Sequence, residues 1–219
     1  VHIQNTFANP RILITVPTGS TPVERKAIQD SALAAGARRV QLIEEPIAAA
    51  IGAGLPISEA TGSMIVDIGG GTTEIAVMSL GGVVFSKSLR VAGDAMDVGI
   101  INYMRKKFNL LIGESTAEKI KKGIGTSIPT SNNIVLVKGR DIRTGTPKEI
   151  SHNEEDVCDA LLPVLTQVFN AVKEALESTP PELSADLVDM GLVLTGGGAL
   201  LRNIDKLISK DTGLPVTIA

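Results

Sequence analysis

Ile65-Val66-Asp67-Ile68-Gly69-Gly70-Gly71-Thr72-Thr73 is the stretch whose reading decides the fold. An apolar run ends in an acid, then three glycines, then two hydroxyl side chains. Met64 to Asp67 fits a short buried strand, bounded by glycine. Glycines let backbone N–H groups come close to phosphate oxygens with no side chain in the way. Asp67, at the strand exit, is placed to hold a hydrated Mg2+, and Thr72 or Thr73 to donate to a phosphate. Strand patterns follow, Glu74 to Leu80 and Val83 to Val91, joined by a Gly81-Gly82 hairpin turn. A dinucleotide-binding turn would lead into a helix instead, so this loop is of another kind. The alternative is a tight glycine hairpin without a ligand, but an acid at a buried strand end needs a partner.

Working outward, a second glycine loop lies at Leu194-Thr195-Gly196-Gly197-Gly198-Ala199. A strand from Gly191 to Thr195 precedes it, and a helix is expected from Ala199. A helix start turns N–H groups and the positive end of its dipole toward the loop. Flat glycines there suit a purine or an α-phosphate. Alone, this is equally an ordinary strand-to-helix turn; with the first loop it points to a nucleotide. Glu44-Glu45-Pro46 comes after a short strand, Val40 to Ile43, and opens an Ala-rich helix to about Gly54. Acids at a helix start favour its dipole, and Pro46 fixes the chain direction. Capping is one reading. The other is that one acid orients the water attacking a γ-phosphate. Both hold if Glu44 is structural and Glu45 catalytic. Glu118 and Lys121, spaced i and i+3, share a helix face, either as a surface ion pair or as contacts to ribose and base.

The remaining chain alternates in the same way. Arg11 to Val16 is a buried strand. Thr21-Pro22 then caps a helix that stops at Gly36, with Glu24 in its first turn. Asp94 is expected to cap a helix through Phe108, and Gly113 to Gly123 forms another. Residues 124–151 are richer in Gly, Pro, Thr and Ser around one β run, Ile134 to Val137, and suggest a small hairpin subdomain. Glu154 to Glu177 is a long helix that Pro163 either kinks or opens. Pro215 to Ile218 is the last strand. This order, with glycine-rich strand exits, indicates an α/β fold with ligands at the carboxyl ends of strands.

Composition narrows the class. With 43% apolar but only 2% aromatic residues and no Trp, the core must be Ile, Leu, Val and Ala, which suits strands covered by helices. Net charge is −3 with no basic stripe, which argues against direct nucleic-acid binding. The one cysteine, Cys158, excludes an internal disulfide, fits a reducing cytoplasm and reads as a buried structural thiol. No run approaches the ~20 apolar residues of a membrane span. His2 and His152 lie in polar surroundings without metal-ligand spacing and read as solvated. The chain opens on Val1 rather than Met and is expected to be a piece of a longer protein.

These motifs resemble a known superfamily. Asp67 to Thr72 is similar to the second phosphate loop of actin, heat-shock chaperones and sugar kinases, and Thr195 to Gly198 to its adenosine loop. Glu44-Glu45-Pro46-Ile47-Ala48-Ala49-Ala50-Ile51-Gly52 narrows the resemblance to the MreB branch of bacterial actin-like proteins. Ser58 to Gly62, Ile100 to Tyr103 and Pro180 to Leu183 also resemble it, and the likeness runs from about Pro10 to Ala219. The resemblance implies an actin-like, ribonuclease H-like α/β fold. It implies that Glu45 activates water, that Asp67 holds Mg2+ through water, and that Gly69, Gly70, Gly71 and Thr72 clamp phosphate. It implies nucleoside contacts from Glu118, Lys119, Ile120 and Lys121 and from Gly196, Gly197, Gly198 and Ala199. It further implies ATP as ligand, self-assembly into filaments under the cytoplasmic membrane, and work with the cell-wall elongation machinery in maintaining rod shape. A subdomain division follows: residues 1–50 as a remainder of subdomain IA, 51–109 as the start of IIA, 110–152 as IIB and 153–219 as the return to IIA.

The likeness departs from the family at one end. Family members open with an Asp-Leu-Gly-Thr phosphate loop, and no such segment occurs here. Most of the first half-domain is therefore expected to be missing, and this chain is expected to bind ATP weakly. The resemblance also implies a membrane-contacting loop at Thr6 to Asn9, where Phe7 either inserts into the membrane or, as a lone Phe beside a strand, packs in the core. Three other readings compete. A metabolic kinase would need a polar substrate pocket, and Glu-Glu-Pro suits water better than a sugar. A chaperone ATPase would need a substrate-binding domain after the nucleotide domain. A DNA-segregating actin-like protein would differ only in surface chemistry and its adaptor.

Overall fold

The computed structural model describes residues 9–219. His2 and Phe7 lie outside the described residues, and with them the membrane-contact reading. In chain order the elements are β1 (Arg11–Val16), α1 (Pro22–Ala34), β2 (Arg39–Glu44), α2 (Glu45–Gly52), β3 (Ser63–Ile68), β4 (Thr73–Ser79) and β5 (Gly82–Leu89). Then come α3 (Gly93–Phe108), β6 (Leu110–Leu111), α4 (Glu114–Ile124), β7 (Ile134–Asp141), β8 (Pro147–Asn153) and α5 (Glu154–Glu177). The chain closes with α6 (Pro181–Met190), β9 (Leu192–Thr195), a 3-10 turn (Gly197–Leu200), α7 (Ile204–Thr212) and β10 (Val216–Ile218).

Three sheets result. The central one has five strands in the order β10-β9-β3-β4-β5. β3 runs parallel to β9 and antiparallel to β4, so the two glycine-rich exits lie side by side at one end. β1 and β2 form a parallel pair, and β6-β7-β8 a small antiparallel sheet. Side-chain alternation along β3 and β4 decides what each face of the central sheet meets. Met64, Val66, Ile68, Ile75 and Val77 join the large core, with α3, α4 and α5. Ile65, Ala76 and Met78 face the other way and pack with Ala50 of α2. Burying both faces explains the nearly continuous apolar runs of β3 and β4.

Most sequence expectations match within a residue or two, and the misses have physical causes. The β4–β5 turn falls on Leu80-Gly81, not Gly81-Gly82; both residues have positive φ (53° and 74°), which a two-residue hairpin requires. Asp94 does not cap α3. The Gly93 and Asp94 amides instead bond the carbonyls of Gly69 and Gly70 at 3.1 and 2.8 Å, so the glycine loop itself satisfies the helix start. No α-helix begins at Ala199: the chain makes one 3-10 turn there, and α7 starts only at Ile204. α6, which the sequence reading left unassigned, begins at Pro181, where proline is compatible with a first helical turn. Pro163 neither opens nor ends α5 but sits inside it, exposed. His152 is not solvated: its ring is fully buried and stacks edge-on to Phe108 at 4.4 Å. Cys158 is half-buried, and its Sγ donates to the Ser127 carbonyl at 3.4 Å.

Candidate functional site

Both glycine turns open onto one cavity of about 750 Å3, a volume typical of small-molecule sites. Gly69 and Gly70 of the first turn and Gly197 and Gly198 of the second all line it. Gly93, Asp94 and Asp97 of α3 and Glu118, Lys121 and Lys122 of α4 complete the enclosure, with Leu200, Leu201 and Arg202. The turns are brought together by close packing that only glycine allows. A Cβ on Gly198 would lie 2.3 Å from Ile68 Cγ2, and one on Gly196 would lie 2.4 Å from Asp67 Oδ1. Gly196 also holds a φ of +84°. Gly197 differs, with nothing within 4 Å of a Cβ, so its surface is open. At the first turn, Gly69 donates its amide to the Thr72 carbonyl at 2.9 Å. The Thr73 hydroxyl is already engaged, donating to the Val91 carbonyl at 2.7 Å.

Beside the cavity lies a row of polar residues across the central sheet. Register pairs Thr195 with Asp67, Asp67 with Glu74, and Glu74 with Ser88. Alternation puts Asp67 and Glu74 on the α2 face, and α2 begins with Glu45. Glu74 is almost fully buried, and its Oε1 accepts from Ser88 Oγ at 2.6 Å. Burial raises the pKa of all three carboxyls. For Glu45 the nearby charges of Glu74 and Asp67 add to the rise. For Asp67 burial acts with no hydrogen bond to offset it. Each carboxyl thus resists ionising beside the others, and a cation would relieve all three. No cluster of three or more His, Cys, Asp or Glu side chains spaced to hold a metal directly occurs among the described residues. The set is suited to a cation that keeps its waters.

Glu44 and Glu45 separate cleanly. Glu44 accepts from Arg25 Nη2 at 3.0 Å, whereas Glu45 has no such partner among the described residues, and the charges of Glu74 and Asp67 help raise its pKa. Glu118 and Lys121 do not pair with each other. Glu118 takes Lys122 at 2.6 Å, and Lys121 takes Asp97 at 2.8 Å and the Gly93 carbonyl at 2.9 Å. Ile120 and Ala199 are buried in the core, and Lys119 is exposed away from the cavity wall. Gly71, Thr72, Glu45 and Asp67 border the carboxylate row rather than the cavity itself. Sequence reasoning missed Glu74, Asp97 and Arg202. Glu74 stands one residue past the hydroxyls, and only the β3–β4 register reveals that it shares a face with Asp67.

The family model for MreB/Mbl protein matches residues 1–219. Over 212 residues the chain is 56% identical to the cell shape-determining protein MreB of Escherichia coli strain K12, covering 96% of this chain and 61% of that protein. The crystal structure of MreB5 of Spiroplasma citri bound to AMPPNP superposes with a TM-score of 0.95 at 41% identity, covering 99% of this chain and 66% of that one. The same protein bound to ADP gives 0.94 at 42% identity, over 96% and 64%. The fold is therefore the actin-like one that the family resemblance implied. The chain spans about two thirds or less of the length of these relatives.

Proposed function

The chain belongs to the MreB/Mbl family, and from that premise we propose that it is the greater part of an ATP-dependent, filament-forming cytoskeletal subunit that maintains rod cell shape. The observation that carries this reading is the meeting of both glycine turns at one cavity, supported by the carboxyls of Glu45, Asp67 and Glu74, whose burial raises the pKa of each. In this reading Gly69 and Gly70 hold phosphates, and Gly197 and Gly198 with Glu118 and Lys121 enclose the nucleoside, all of them lining the cavity. Glu45 orients and deprotonates the attacking water; its raised pKa moves it toward the range where a general base works best. Asp67 is the residue that would hold Mg2+, and the ion would supply positive charge to offset that of the phosphates. A polyphosphate beside Asp67, Glu74 and Asp94 calls for such a cation, because carboxylates and phosphate repel.

Filament growth requires a head-to-tail contact that does not close into a ring. The partners are further copies of the protein, the cytoplasmic membrane surface and the cell-wall elongation machinery, with no direct nucleic-acid contact. No helix among the described residues is long and apolar enough to cross a membrane. The four-part division into residues 1–50, 51–109, 110–152 and 153–219 remains part of this proposal, supported by the separation of β1-β2, the central sheet and β6-β7-β8 into three sheets. The test uses the intact protein. Glu45→Gln should lower ATP turnover by about 100-fold or more while leaving Mg-ATP affinity within a few-fold. Unchanged turnover would remove Glu45 from the chemistry, and absence of ATP binding by the intact wild type would remove the nucleotide reading itself.

A further inference from the structure

Glu154, the first residue of α5, has no exposed surface and does not itself line the cavity. Its Oε2 accepts from the Thr130 and Ser131 amides, and its Oε1 from Ser131 Oγ and Asn133 Nδ2. These donors, all from one loop, already satisfy the carboxylate. A further one reaches it from elsewhere: Arg202 Nη1 stands 2.7 Å from Oε1. Arg202, unlike Glu154, does line the cavity, just past the second glycine turn.

Every nitrogen of this guanidinium is engaged or shielded. Nε donates to the Gly125 carbonyl at 3.1 Å, Nη1 faces Glu154, and Nη2 is buried from solvent with no partner among the described residues. Yet the side chain is 39% exposed. What it offers the cavity is therefore its stem and the flat face of the fork. The Arg202 backbone is held as well: its carbonyl accepts from the Ser127 amide at 3.0 Å and the Thr126 hydroxyl at 3.2 Å. A guanidinium fixed at its edges has little rotamer freedom left to lose when a ligand arrives, and its flat cationic face attracts a π-system. Leu200, another lining residue, is exposed and apolar, which also suits a ring.

We propose that Glu154 is a positioning residue for the base of the nucleotide: it locks Arg202 so that the guanidinium face stacks on a purine ring. The inference rests on the nucleotide reading above and goes beyond it by naming what selects the base. Stacking depends on the π-face of a ring and not on its hydrogen-bonding edge. Adenine and guanine are therefore held alike, and the smaller ring of a pyrimidine less well.

The experiment titrates the intact protein with Mg-ATP, Mg-GTP and Mg-CTP, comparing wild type with Arg202→Lys, Glu154→Gln and the double variant. Lysine keeps the charge that Glu154 faces but has no flat face. Arg202→Lys should weaken ATP and GTP about tenfold each, the worth of one such stack, and leave CTP within about twofold. Glu154→Gln should act in the same direction and less strongly, because its Arg202 is free to turn. In the Arg202→Lys background, Glu154→Gln should cause no further loss of ATP affinity, although it still lowers the urea midpoint. A carboxylate with only a structural role would weaken all three nucleotides equally; that result, or multiplying losses of affinity in the double variant, would overturn the inference. So would a wild type that binds CTP as tightly as ATP. ATP binding by the wild type, with an ATP-to-CTP ratio unchanged in every variant, would spare the nucleotide reading and remove the Arg202 stack alone. A wild type that binds none of the three would remove both.

Discussion

Gly197 and Gly198 are adjacent residues with opposite surroundings. A methyl on Gly198 would press on Ile68, whereas one on Gly197 would enter open space at the cavity wall. Gly198→Ala should therefore destabilise the fold by about 1–3 kcal/mol, seen as a lower urea midpoint. Gly197→Ala should leave stability nearly unchanged and weaken nucleotide affinity, seen by titration calorimetry. Equal stability losses would contradict this division. His152 allows a pH prediction. Burial lowers its pKa, although Asp156 at 3.4 Å opposes the shift and Lys107 adds to it. The folded state thus prefers the neutral ring. Its contribution is present above the unfolded value, ~6.5, and is lost as pH falls below it. Stability measured from pH 7 to 5 should fall less steeply in His152→Leu than in wild type. The same residue shows where sequence reading stops. Polar neighbours along the chain suggested solvent, but burial was decided by Phe108, which reaches His152 only through the pairing of β8 with β7 and of β7 with β6.

At the scale of elements, α5 is tied to the cavity at its first residue. Glu154 has no exposed surface and accepts from the Thr130 and Ser131 amides, both at 3.1 Å. It also accepts from Ser131 Oγ at 2.7 Å, Asn133 Nδ2 at 3.1 Å and Arg202 Nη1 at 2.7 Å. Burial works against its charge, yet these donors outweigh burial and hold its pKa at about 2. A carboxyl depressed in this way stabilises the fold above its unfolded value, ~4.3, and that stability is lost as pH falls toward the folded value. Glu154→Gln should cost about 2 kcal/mol in urea unfolding at pH 7 and loosen residues 130–133. A neutral result would show that Arg202 and the loop are held otherwise. Element types were largely legible, because period-2 and period-3.6 patterns are local. Element ends were less so: the α3 start depends on carbonyls of the Gly69–Gly70 turn, and the region after Gly198 bends into a 3-10 turn because Ala199 is drawn into the core.

At the scale of the molecule, residues 69–71 and 196–198 are far apart in sequence, and no spacing rule joins them. The β3–β9 parallel pairing does, by setting Asp67 opposite Thr195 and so placing both glycine exits at one sheet end. Each loop was readable alone as a possible phosphate or nucleoside contact; their convergence needed either the family resemblance or the fold. The carboxylate row is the part neither spacing nor motif exposed, since it depends on a three-strand register through Asp67, Glu74 and Ser88. The most direct test is amide hydrogen exchange of the intact protein with and without Mg-ATP. A single nucleotide seated between the two turns predicts slower exchange at residues 69–73 and at 196–201 together, with the same concentration dependence. Protection of one turn alone, or of neither while ATP binds, would contradict a shared site.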